Sequence, residues 1–251
     1  MTGSAGEQIF GGSFDAVLFD LDGVLTSTAL LHQAAWKTMF DDFLEERAGR
    51  RDETFVPFEG VDYDNFVDGR PRFDGVRSFL DSRRIQLAEG AIDDPPSSDS
   101  ISGLGNRKQQ IFLALLESEG AEALPGAAEL VRAVADRGMR TAVVSSSANA
   151  LQVLATTGLS GIFDTVVDGL EARHLALAGK PAPDTFLEAA DRLSVAPERA
   201  VVVEDALAGV AAGRAGGFGL VVGIGPEVSA EALRGSGADV VVVEVRELLL
   251  D

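Results

Sequence analysis

The chain has 251 residues, 46% of them hydrophobic and 24% charged, a composition that excludes disorder over its whole length. Forty acidic residues against 21 Lys and Arg give a formal net charge of −19, so we expect neither nucleic acid nor a membrane as partner. The absence of cysteine excludes disulfides, thiolate zinc sites and a cysteine nucleophile. No apolar run is long enough to span a membrane and no basic-then-apolar leader begins the chain, so we expect a cytoplasmic protein.

A single short β-strand is predicted near the N-terminus, at Asp15–Asp20, and a long stretch of different character follows it. Helices are predicted there at Ala29–Glu46, Val76–Arg84 and Arg107–Ser118, the first with an apolar stripe at helical spacing. The Pro- and Ser-rich segment Asp93–Ser100 has the composition of a mobile loop. Helical spacing without strands predicts a separate helical domain.

From about residue 120 onward, short runs of β-branched residues alternate with longer stretches of helical period. Strands are predicted at Met139–Ser145, Phe163–Val167, Ala200–Glu204, Phe218–Val222 and Asp239–Val243. Helices are predicted at Gly126–Arg137, Asn149–Gly158, Asp184–Leu193, Leu207–Ala215 and Ala230–Arg234. The strand runs are apolar on both faces, which indicates a parallel sheet covered by helices. The sequence therefore predicts a doubly wound α/β core made of residues 1–27 and 120–251, with residues 28–119 inserted as the helical domain.

Two aspartates follow the first predicted strand, in the run Phe19-Asp20-Leu21-Asp22-Gly23. Ligands of open α/β sheets bind at the carboxyl ends of the strands, which is where both side chains emerge. One carboxylate could attack phosphorus, and the other could carry a proton to and from the exchanged oxygen. An ordinary acidic turn is the alternative interpretation.

Two other segments, each directly ahead of a predicted helix, carry groups suited to binding a phosphoryl group. The run Ser145-Ser146-Ser147-Ala148-Asn149 leads from a strand into a helix N-terminus, whose N–H groups and dipole favour an anion. Lys180 lies between a glycine and a proline ahead of a helix and could present a fixed positive charge. A plain Ser/Asn helix cap and a solvated loop lysine are the alternatives.

Adjacent carboxylates, Glu204 and Asp205, end another predicted buried strand. Carboxylate oxygens suit Mg²⁺, which usually takes one or two carboxylates together with phosphate oxygens and water. A solvated strand end is the alternative. All these groups lie at the carboxyl ends of predicted parallel strands, so together they predict one site, and a cation there would let a −19 protein bind an anion.

This combination resembles the haloacid dehalogenase superfamily of Mg²⁺-dependent aspartyl phosphoryl transferases. The superfamily's four motifs match, in chain order, Asp20 with Asp22, Ser145, Lys180, and Glu204 with Asp205. The resemblance extends from about residue 14 to 248, and it implies a Rossmann-like core with a helical cap inserted after the first motif.

The resemblance also implies a role for each residue of the motifs. Asp20 would be the nucleophile and Asp22 the general acid and base, while Ser145 and Lys180 would stabilise the phosphoryl oxygens. The implied Mg²⁺ ligands are Asp20, the main-chain carbonyl of Asp22, Glu204 and Asp205. Dehalogenases of the superfamily lack an acid at the position of Asp22, so its presence favours phosphoryl-oxygen chemistry.

The helical domain has a finer resemblance, to the β-phosphoglucomutases, which interconvert β-glucose 1-phosphate and glucose 6-phosphate through a bisphosphate. The substrate-binding residues that it implies are Thr28, His32, Trp36, Gly69, Arg72 and Lys108, together with Ser146, Ser147 and Asn149 of the core. In that family such residues orient the sugar, hold its distal phosphate and couple cap closure to catalysis. A structural histidine at His32 and a surface charge at Arg72 are the alternatives.

Two positions depart from the β-phosphoglucomutase pattern. Ala148 stands where a basic residue is typical, and Ser27 stands where an acid is common. We therefore expect a monomeric, β-phosphoglucomutase-like enzyme that acts on a small phosphorylated sugar, and we keep two alternatives. One is a sugar-phosphate phosphatase with the same machinery; the other is a non-catalytic sugar-phosphate-binding regulator.

Overall fold

The computed structural model describes residues 4–52, 54–226 and 229–250, and the chain divides into two compact units. The sheet unit comprises the chain up to Ser27, the segment Gly69–Pro71, and the chain from Ala121 onward. The helical unit comprises Thr28–Asp68 and Arg72–Gly120. The segment Gly69–Pro71 thus groups with the sheet, although both of its flanks belong to the helical unit.

A parallel sheet of six strands lies at the centre of the described part of the sheet unit. The strands are β1 (Ala16–Phe19), β2 (Arg140–Val144), β3 (Thr165–Val167), β4 (Ala200–Glu204), β5 (Leu220–Ile224) and β6 (Val240–Val242). Their order is β3-β2-β1-β4-β5-β6, so the direction of winding reverses between β1 and β4. This topology confirms the predicted doubly wound α/β fold, and ligands of such sheets bind at the point of reversal.

The register of the central strands determines which residues meet at that point. Phe19 of β1 pairs with Val143 of β2 on one side and with Val203 of β4 on the other. The residues that follow Phe19 and Val203 are Asp20 and Glu204, which therefore stand at the same level on neighbouring strands. Two carboxylates are thus side by side before any loop contributes.

Helices account for most of the remaining described chain. They are α1 (Ala5–Gly11), α2 (Ala29–Arg51), α3 (Gly60–Asp62), α4 (Arg72–Ser82), α5 (Ile101–Glu119), α6 (Ala127–Asp136), α7 (Ala150–Thr156), α8 (Gly169–His174), α9 (Asp184–Leu193), α10 (Leu207–Ala215) and α11 (Ala230–Ser236). Short turns of other helix types follow α3, precede β4 and span Val245–Leu248. No helix among the described residues is long and apolar enough to cross a membrane.

Most of the predicted elements of the sheet unit form where the sequence places them, and β4, α9 and α10 have the predicted bounds. The prediction for β5 is wrong by two residues, since the strand begins at Leu220 instead of Phe218. The N–H of Gly219 donates to the carbonyls of Pro197 and Ala200, so this residue belongs to the turn before the strand. The apolar side chain of Phe218 gives no indication of that turn, so the sequence pattern predicts the strand too early.

The helices of the helical unit begin or end beyond their predicted bounds. Helix α5 starts six residues early because the Ser100 hydroxyl accepts from the N–H of Gly103 at 3.0 Å and caps it. Two glycines in its first turns hide the apolar period. Stacked aromatic rings fill the core of this unit, with the Phe40 ring centroid 4.2 Å from Phe79 and 5.1 Å from Phe58.

The segment Asp93–Ser100 is a loop, as predicted, but α5 anchors it. The Asn106 amide donates to the carbonyl oxygens of Ile92 and Asp94 at 3.0 and 2.9 Å, and Arg107 donates to that of Pro96 at 2.7 Å. Pro- and Ser-rich composition predicts a mobile loop, whereas these contacts from a neighbouring helix fix its backbone.

Two helices of the sheet unit, α1 and α8, are absent from the sequence prediction. Helix α1 starts with a capping box in which Ser4 and Glu7 bond reciprocally. Its Ile9 is buried, and Gly6 lies so close to the C-terminal turn that a Cβ there would be 2.8 Å from the carbonyl O of Leu248. Helix α1, near the N-terminus, therefore packs against the turn Val245–Leu248 near the C-terminus.

Candidate active site

The carboxyl ends of β1, β2 and β4 bring Asp20, Ser145 and Glu204 together where the winding reverses. Their relative exposures are 6%, 1% and 0%, so all three polar residues are buried. The N–H of Asp20 donates to the carbonyl of Val203 at 2.9 Å, which extends the strand ladder by one residue. The position of the Asp20 side chain is therefore set by the sheet.

Lys180 reaches the same place from the loop after α8 and is buried. Its Nζ lies 2.5 Å from Oδ1 of Asp20 and 2.6 Å from Oε1 of Glu204, and it donates to the carbonyl of Val144 at 3.0 Å. The Phe186 ring centroid is 4.7 Å from the ammonium. Since an ammonium has three donors, all of them are used, and Lys180 is not a solvated loop lysine.

The electrostatics of the buried group keep Lys180 charged. Burial works against the ammonium, but the carboxylates of Asp20 and Glu204 outweigh it and raise the pKa of Lys180. Burial also disfavours the charged form of Asp20, and for a carboxyl group this raises the pKa well above its ordinary value. The Lys180 ammonium opposes this rise in pKa, whereas the carboxylates of Glu204 and Asp22 add to it. The cluster has more carboxylates than ammonium groups, so a further cation would stabilise it.

The Glu204 carboxylate occupies a close-fitting position at the start of α10. Its Oε2 accepts from the N–H of Ala206 at 2.9 Å, while its Oε1 faces Lys180. A Cβ at Gly209 would lie 1.6 Å from Oε1 and 2.0 Å from Cδ of Glu204. Only a residue without a side chain leaves room for this carboxylate.

Asp22 lies in the turn after β1 and is half-buried. Its N–H donates to Oδ2 of Asp20 at 2.9 Å, and its Oδ2 lies 3.3 Å from the Ser145 hydroxyl. Gly23, with φ +89°, adopts the left-handed conformation that the turn requires, and its N–H donates to the carbonyl of Thr26 at 2.9 Å. The turn thus holds two carboxylates near one hydroxyl.

The serine run after β2 is organised by its own hydroxyls. Ser145 Oγ accepts from the N–H of Ser147 at 3.0 Å, and Ser147 Oγ accepts from the N–H of Asn149 at 3.2 Å. The Ser146 hydroxyl instead donates to the carbonyl of Gly69 at 2.7 Å. The run therefore forms a turn of N–H groups and hydroxyls next to Asp22, with Ser146 turned to another segment.

Three carboxylates form a group that fits a divalent metal ion. Asp20, Glu204 and Asp205 each offer one oxygen, and these oxygens lie within 4.8 Å of one another. An all-oxygen, all-anionic donor set suits a hard cation such as Mg²⁺, and the excess negative charge of the cluster favours one. The donor chemistry therefore fits the predicted metal.

Within the helical unit, α2 and α5 bring a second set of predicted residues together. Lys108 is buried, with its Nζ 2.5 Å from Nδ1 of His32 and about 5 Å from the ring centroids of Trp36 and Phe112. The His32 ring stacks on Phe112 at a centroid distance of 4.0 Å. Trp36 is 3% exposed and belongs to the hydrophobic core of this unit, so the Lys108 ammonium contacts a buried ring.

Three other predicted residues lie elsewhere. Arg72 begins α4, donates to Oδ1 of Asn106 at 3.0 Å and lies over the Phe73 ring, so it is not a free surface charge. Thr28 immediately precedes α2 and is fully buried. Gly69 groups with the sheet unit instead of the helical one.

Sequence reasoning missed three residues that shape these sites: Gly209, Phe186 and Phe112. Gly209 follows Glu204 by five positions at a helix start, a spacing that could have indicated a close approach of carboxylate and backbone. Phe112 lies four residues after Lys108, so both occupy one face of α5. Phe186 carries no signal, because an apolar helix position does not reveal that an ammonium lies over it.

The sequence of this chain matches the model of a known protein family over most of its length. The model for haloacid dehalogenase-like hydrolases matches residues 14–217, which include every residue of the four motifs. The match also spans the whole helical unit.

Individual proteins with similar sequences or structures are named as β-phosphoglucomutases or as a phosphatase. The chain is 54% identical over 238 residues to a β-phosphoglucomutase of Mycobacterium tuberculosis, covering 93% of this chain and 91% of that one. A phosphorylated carbohydrates phosphatase of Thermotoga maritima is 27% identical over 94% of this chain and 96% of its own. Among solved structures, a β-phosphoglucomutase from Clostridium difficile superposes with a TM-score of 0.72 over 94% of both chains, at 24% identity, which supports the fold.

Proposed function

Since this chain belongs to the haloacid dehalogenase-like hydrolase family, a family of enzymes, we propose that it is a β-phosphoglucomutase. It would convert β-glucose 1-phosphate to glucose 6-phosphate through an aspartyl-phosphate. The observation that carries the proposal is the meeting of Asp20, Asp22, Lys180 and Glu204 at one point of the sheet, in a chain 54% identical to a β-phosphoglucomutase over 93% of its length.

Asp20 is the nucleophile in this proposal. One of its oxygens attacks the phosphorus of the bound phosphate, and the bond from phosphorus to the leaving sugar oxygen breaks. Asp22 donates a proton to that oxygen and later takes one from the hydroxyl that attacks the aspartyl-phosphate. Asp22 is suited to this role because it lies beside Asp20 and is only half-buried.

Lys180 and the serine turn stabilise the phosphoryl group. Two carboxylates and a carbonyl fix the ammonium beside Asp20, so its positive charge is already in place to stabilise negative charge that develops on the phosphoryl oxygens. The hydroxyls of Ser145 and Ser147, which accept from the N–H groups of Ser147 and Asn149, offer further donors at the same edge of the sheet.

Mg²⁺ is the proposed cofactor, held by the carboxylates of Asp20, Glu204 and Asp205 and the main-chain carbonyl of Asp22. When bound, it offsets the repulsion between carboxylates and a phosphate dianion. Gly209 and the N–H of Ala206 keep Glu204 in place for this task.

The helical unit supplies the sugar-binding groups in this proposal. His32 and Lys108 form a hydrogen-bonded pair of basic side chains that packs against the rings of Trp36 and Phe112. Arg72 offers a guanidinium that can bind a phosphate. Thr28, Gly69 and Ser146 complete the residues that the resemblance implies. We further propose that the enzyme works as a cytoplasmic monomer on a small phosphorylated sugar.

A sugar-phosphate phosphatase is the second candidate. The Thermotoga relative favours it by name, and Ala148 favours it because a phosphatase has less need for a charge that holds the second phosphate. The two candidates differ only in whether water or a sugar hydroxyl accepts the phosphoryl group.

A panel of sugar phosphates, assayed with Mg²⁺ and a trace of glucose 1,6-bisphosphate, separates the two. We expect β-glucose 1-phosphate to yield glucose 6-phosphate faster than free phosphate, and excess chelator to stop the reaction reversibly. Asp205→Ala should raise the Mg²⁺ concentration needed for half-maximal rate. Release of phosphate from many sugar phosphates without formation of glucose 6-phosphate would establish the phosphatase instead.

A further inference from the structure

The serine turn of the candidate site lies against the junction between β3 and α8. This junction consists of residues Val167–Gly169 and is called here the β3–α8 corner. The N–H of Ser145 donates to the carbonyl of Val167 at 3.0 Å. The N–H of Gly169 donates to the carbonyl of Ser147, also at 3.0 Å. The corner therefore holds the serine turn at two of its residues.

A third contact involves the carbonyl of Ser146, which points towards Gly169. A Cβ on Gly169 would lie 2.5 Å from the carbonyl oxygen of Ser146 and 3.1 Å from its carbonyl carbon, so the oxygen is the nearer atom. A side chain would not fit at such a distance, so the turn can lie this close only because residue 169 is a glycine. The carbonyls of Ser146 and Ser147 thus both lie against Gly169.

These contacts fix the position of the Ser145 hydroxyl. A trans peptide is planar, so its C=O and its N–H point in opposite directions. In the peptide that follows Ser146, the C=O points towards Gly169 and the N–H donates to Oγ of Ser145 at 3.0 Å. The hydroxyl accepts this bond and keeps its own proton to donate, 3.3 Å from Oδ2 of Asp22. Movement of Gly169 would therefore move the Ser145 hydroxyl from its place beside Asp22.

Asp168 holds Gly169 in its orientation. The Asp168 side chain is buried, and its Oδ1 accepts from the N–H of Leu170 at 2.9 Å and from that of Glu171 at 2.8 Å. These bonds cap α8, and Gly169 lies between the capping side chain and the N–H groups that it binds. An ordinary cap only stabilises its helix, whereas this one also fixes the residue against which the serine turn packs.

We propose that Asp168 is a positioning residue for phosphoryl transfer. By capping α8 it fixes Gly169, and Gly169 in turn holds the serine turn so that the Ser145 hydroxyl meets the phosphoryl group. This assignment rests on the proposed function, because the position of Ser145 matters only if Asp20 takes a phosphoryl group. Asp168 acts through the main chain, so any side chain that accepts the same two N–H groups should replace it.

The reaction step that tests this is the phosphorylation of Asp20, which a mutase and a phosphatase have in common. The protein is mixed with saturating ³²P-labelled acetyl phosphate and Mg²⁺, so that an Asp20 oxygen bonds to phosphorus as acetate leaves. Rapid quench gives the rate constant of the first turnover, from the label on the protein plus the label released as phosphate. Mn²⁺ binding, followed by electron paramagnetic resonance, and thermal unfolding are measured on the same samples.

Three variants separate the cap from the contact that it supports. Asp168→Ala removes the cap, Asp168→Asn keeps an acceptor oxygen in its place, and Gly169→Ala adds a Cβ against Ser146 without altering the cap. Two matched controls lie elsewhere in the sheet unit. Ser4→Ala removes the cap of α1, and Gly235→Ala places a Cβ in α11 where no atom lies within 4 Å.

We expect Asp168→Ala to lower the rate constant about tenfold to hundredfold, because a displacement of about 1 Å in a catalytic group has an effect of that size. Asp168→Asn should retain most of the rate, and Gly169→Ala should lose at least as much as Asp168→Ala. Both controls should react like the parent. Mn²⁺ affinity should not change, since the carboxylates proposed to bind the metal belong to other loops.

Phosphorylation of Asp168→Ala or Gly169→Ala at the parent rate would overturn the assignment and leave the proposed function in place. So would an equal loss in Asp168→Asn and Asp168→Ala, or a loss of rate matched by an equal loss of Mn²⁺ affinity. Because Gly169→Ala leaves the cap intact, the test holds even if Asp168→Ala does not fold. Parent protein that takes no label would instead overturn the proposed function, and this assignment with it.

Discussion

Asp20 is the nucleophile in the proposed reaction, and its surroundings show why an isosteric change tests that role. Its N–H continues the β1–β4 ladder, and its carboxylate contacts Lys180 and the N–H of Asp22. Asparagine preserves the shape of the side chain and keeps one of its two acceptor oxygens. It removes the oxygen anion that would attack phosphorus, and with it the proposed aspartyl-phosphate.

Asp20→Asn should therefore lower kcat by about a thousandfold or more while the fold is retained. Steady-state kinetics give the first quantity, and circular dichroism with thermal unfolding gives the second. A variant that keeps even a tenth of the parent activity would exclude Asp20 as the nucleophile.

Gly209 is the second residue with a sharp prediction, since a Cβ there would overlap the Glu204 carboxylate. Gly209→Ala should displace that carboxylate from Lys180 and from the N–H of Ala206, and so weaken divalent-metal binding about tenfold or more. Mn²⁺ binding followed by electron paramagnetic resonance measures this without turnover. The matched control is Gly235→Ala in α11, where a Cβ would have no neighbour within 4 Å.

A compensating change separates this effect from general damage. Glu204→Asp shortens the carboxylate by one methylene, so in the Gly209→Ala background it should recover part of the metal affinity. If Gly209→Ala binds Mn²⁺ like the control, the glycine has no role in positioning Glu204.

At the scale of elements, α1 carries a stability prediction. This helix packs against the turn Val245–Leu248, and Ile9 is its most buried apolar side chain, 1% exposed. Ile9→Ala should lower the free energy of unfolding by about 2–5 kcal/mol through the cavity it leaves. Urea unfolding measures this, with Val243→Ala as control because Val243 is 53% exposed. A loss for Ile9→Ala no larger than for the control would mean that α1 is not part of the cooperative unit.

Elements with a strong period could be predicted from sequence, whereas elements defined by a cap could not. Strand β4 is an apolar run that follows Arg199 and ends in Glu204, and the amphipathic period of α9 lies between Pro183 and Ser194, so their bounds follow from the sequence. Helix α10 ends at the glycine pair 216–217. Helix α1 is seven residues long and depends on the pair Ser4 and Glu7, a local hydrogen-bond pattern that periodicity does not register.

The candidate site shows the same division. The sequence places Asp20, Ser145 and Glu204 at strand ends, and parallel pairing brings such ends to one edge, so their meeting could be anticipated. The contact of Gly69 with Ser146 could not be anticipated, because 77 residues separate them and the segment Gly69–Pro71 groups with the sheet unit while both of its flanks belong to the helical unit.

For the whole molecule, the net charge of −19 and an anionic substrate are reconciled locally. In the proposed reaction, the phosphoryl group that is transferred meets two cations at the candidate site, Mg²⁺ and the ammonium of Lys180. The field of these groups acts at contact distance, whereas the surface charge is screened by salt beyond about 8–10 Å. A net negative charge therefore opposes the binding of a long polyanion more strongly than it opposes the binding of a small phosphate ester.

The proposed mutase reaction requires that the phosphoryl group on Asp20 pass to a sugar and not to water. Its most direct test is a chase experiment: the enzyme is phosphorylated with a ³²P-labelled small acyl phosphate in Mg²⁺, then mixed with excess β-glucose 1-phosphate, and the label is followed at early times. We expect most of the label in glucose 1,6-bisphosphate, and none on Asp20→Asn protein. Label that appears as inorganic phosphate at the same rate with and without the sugar would contradict the claim and identify a phosphatase.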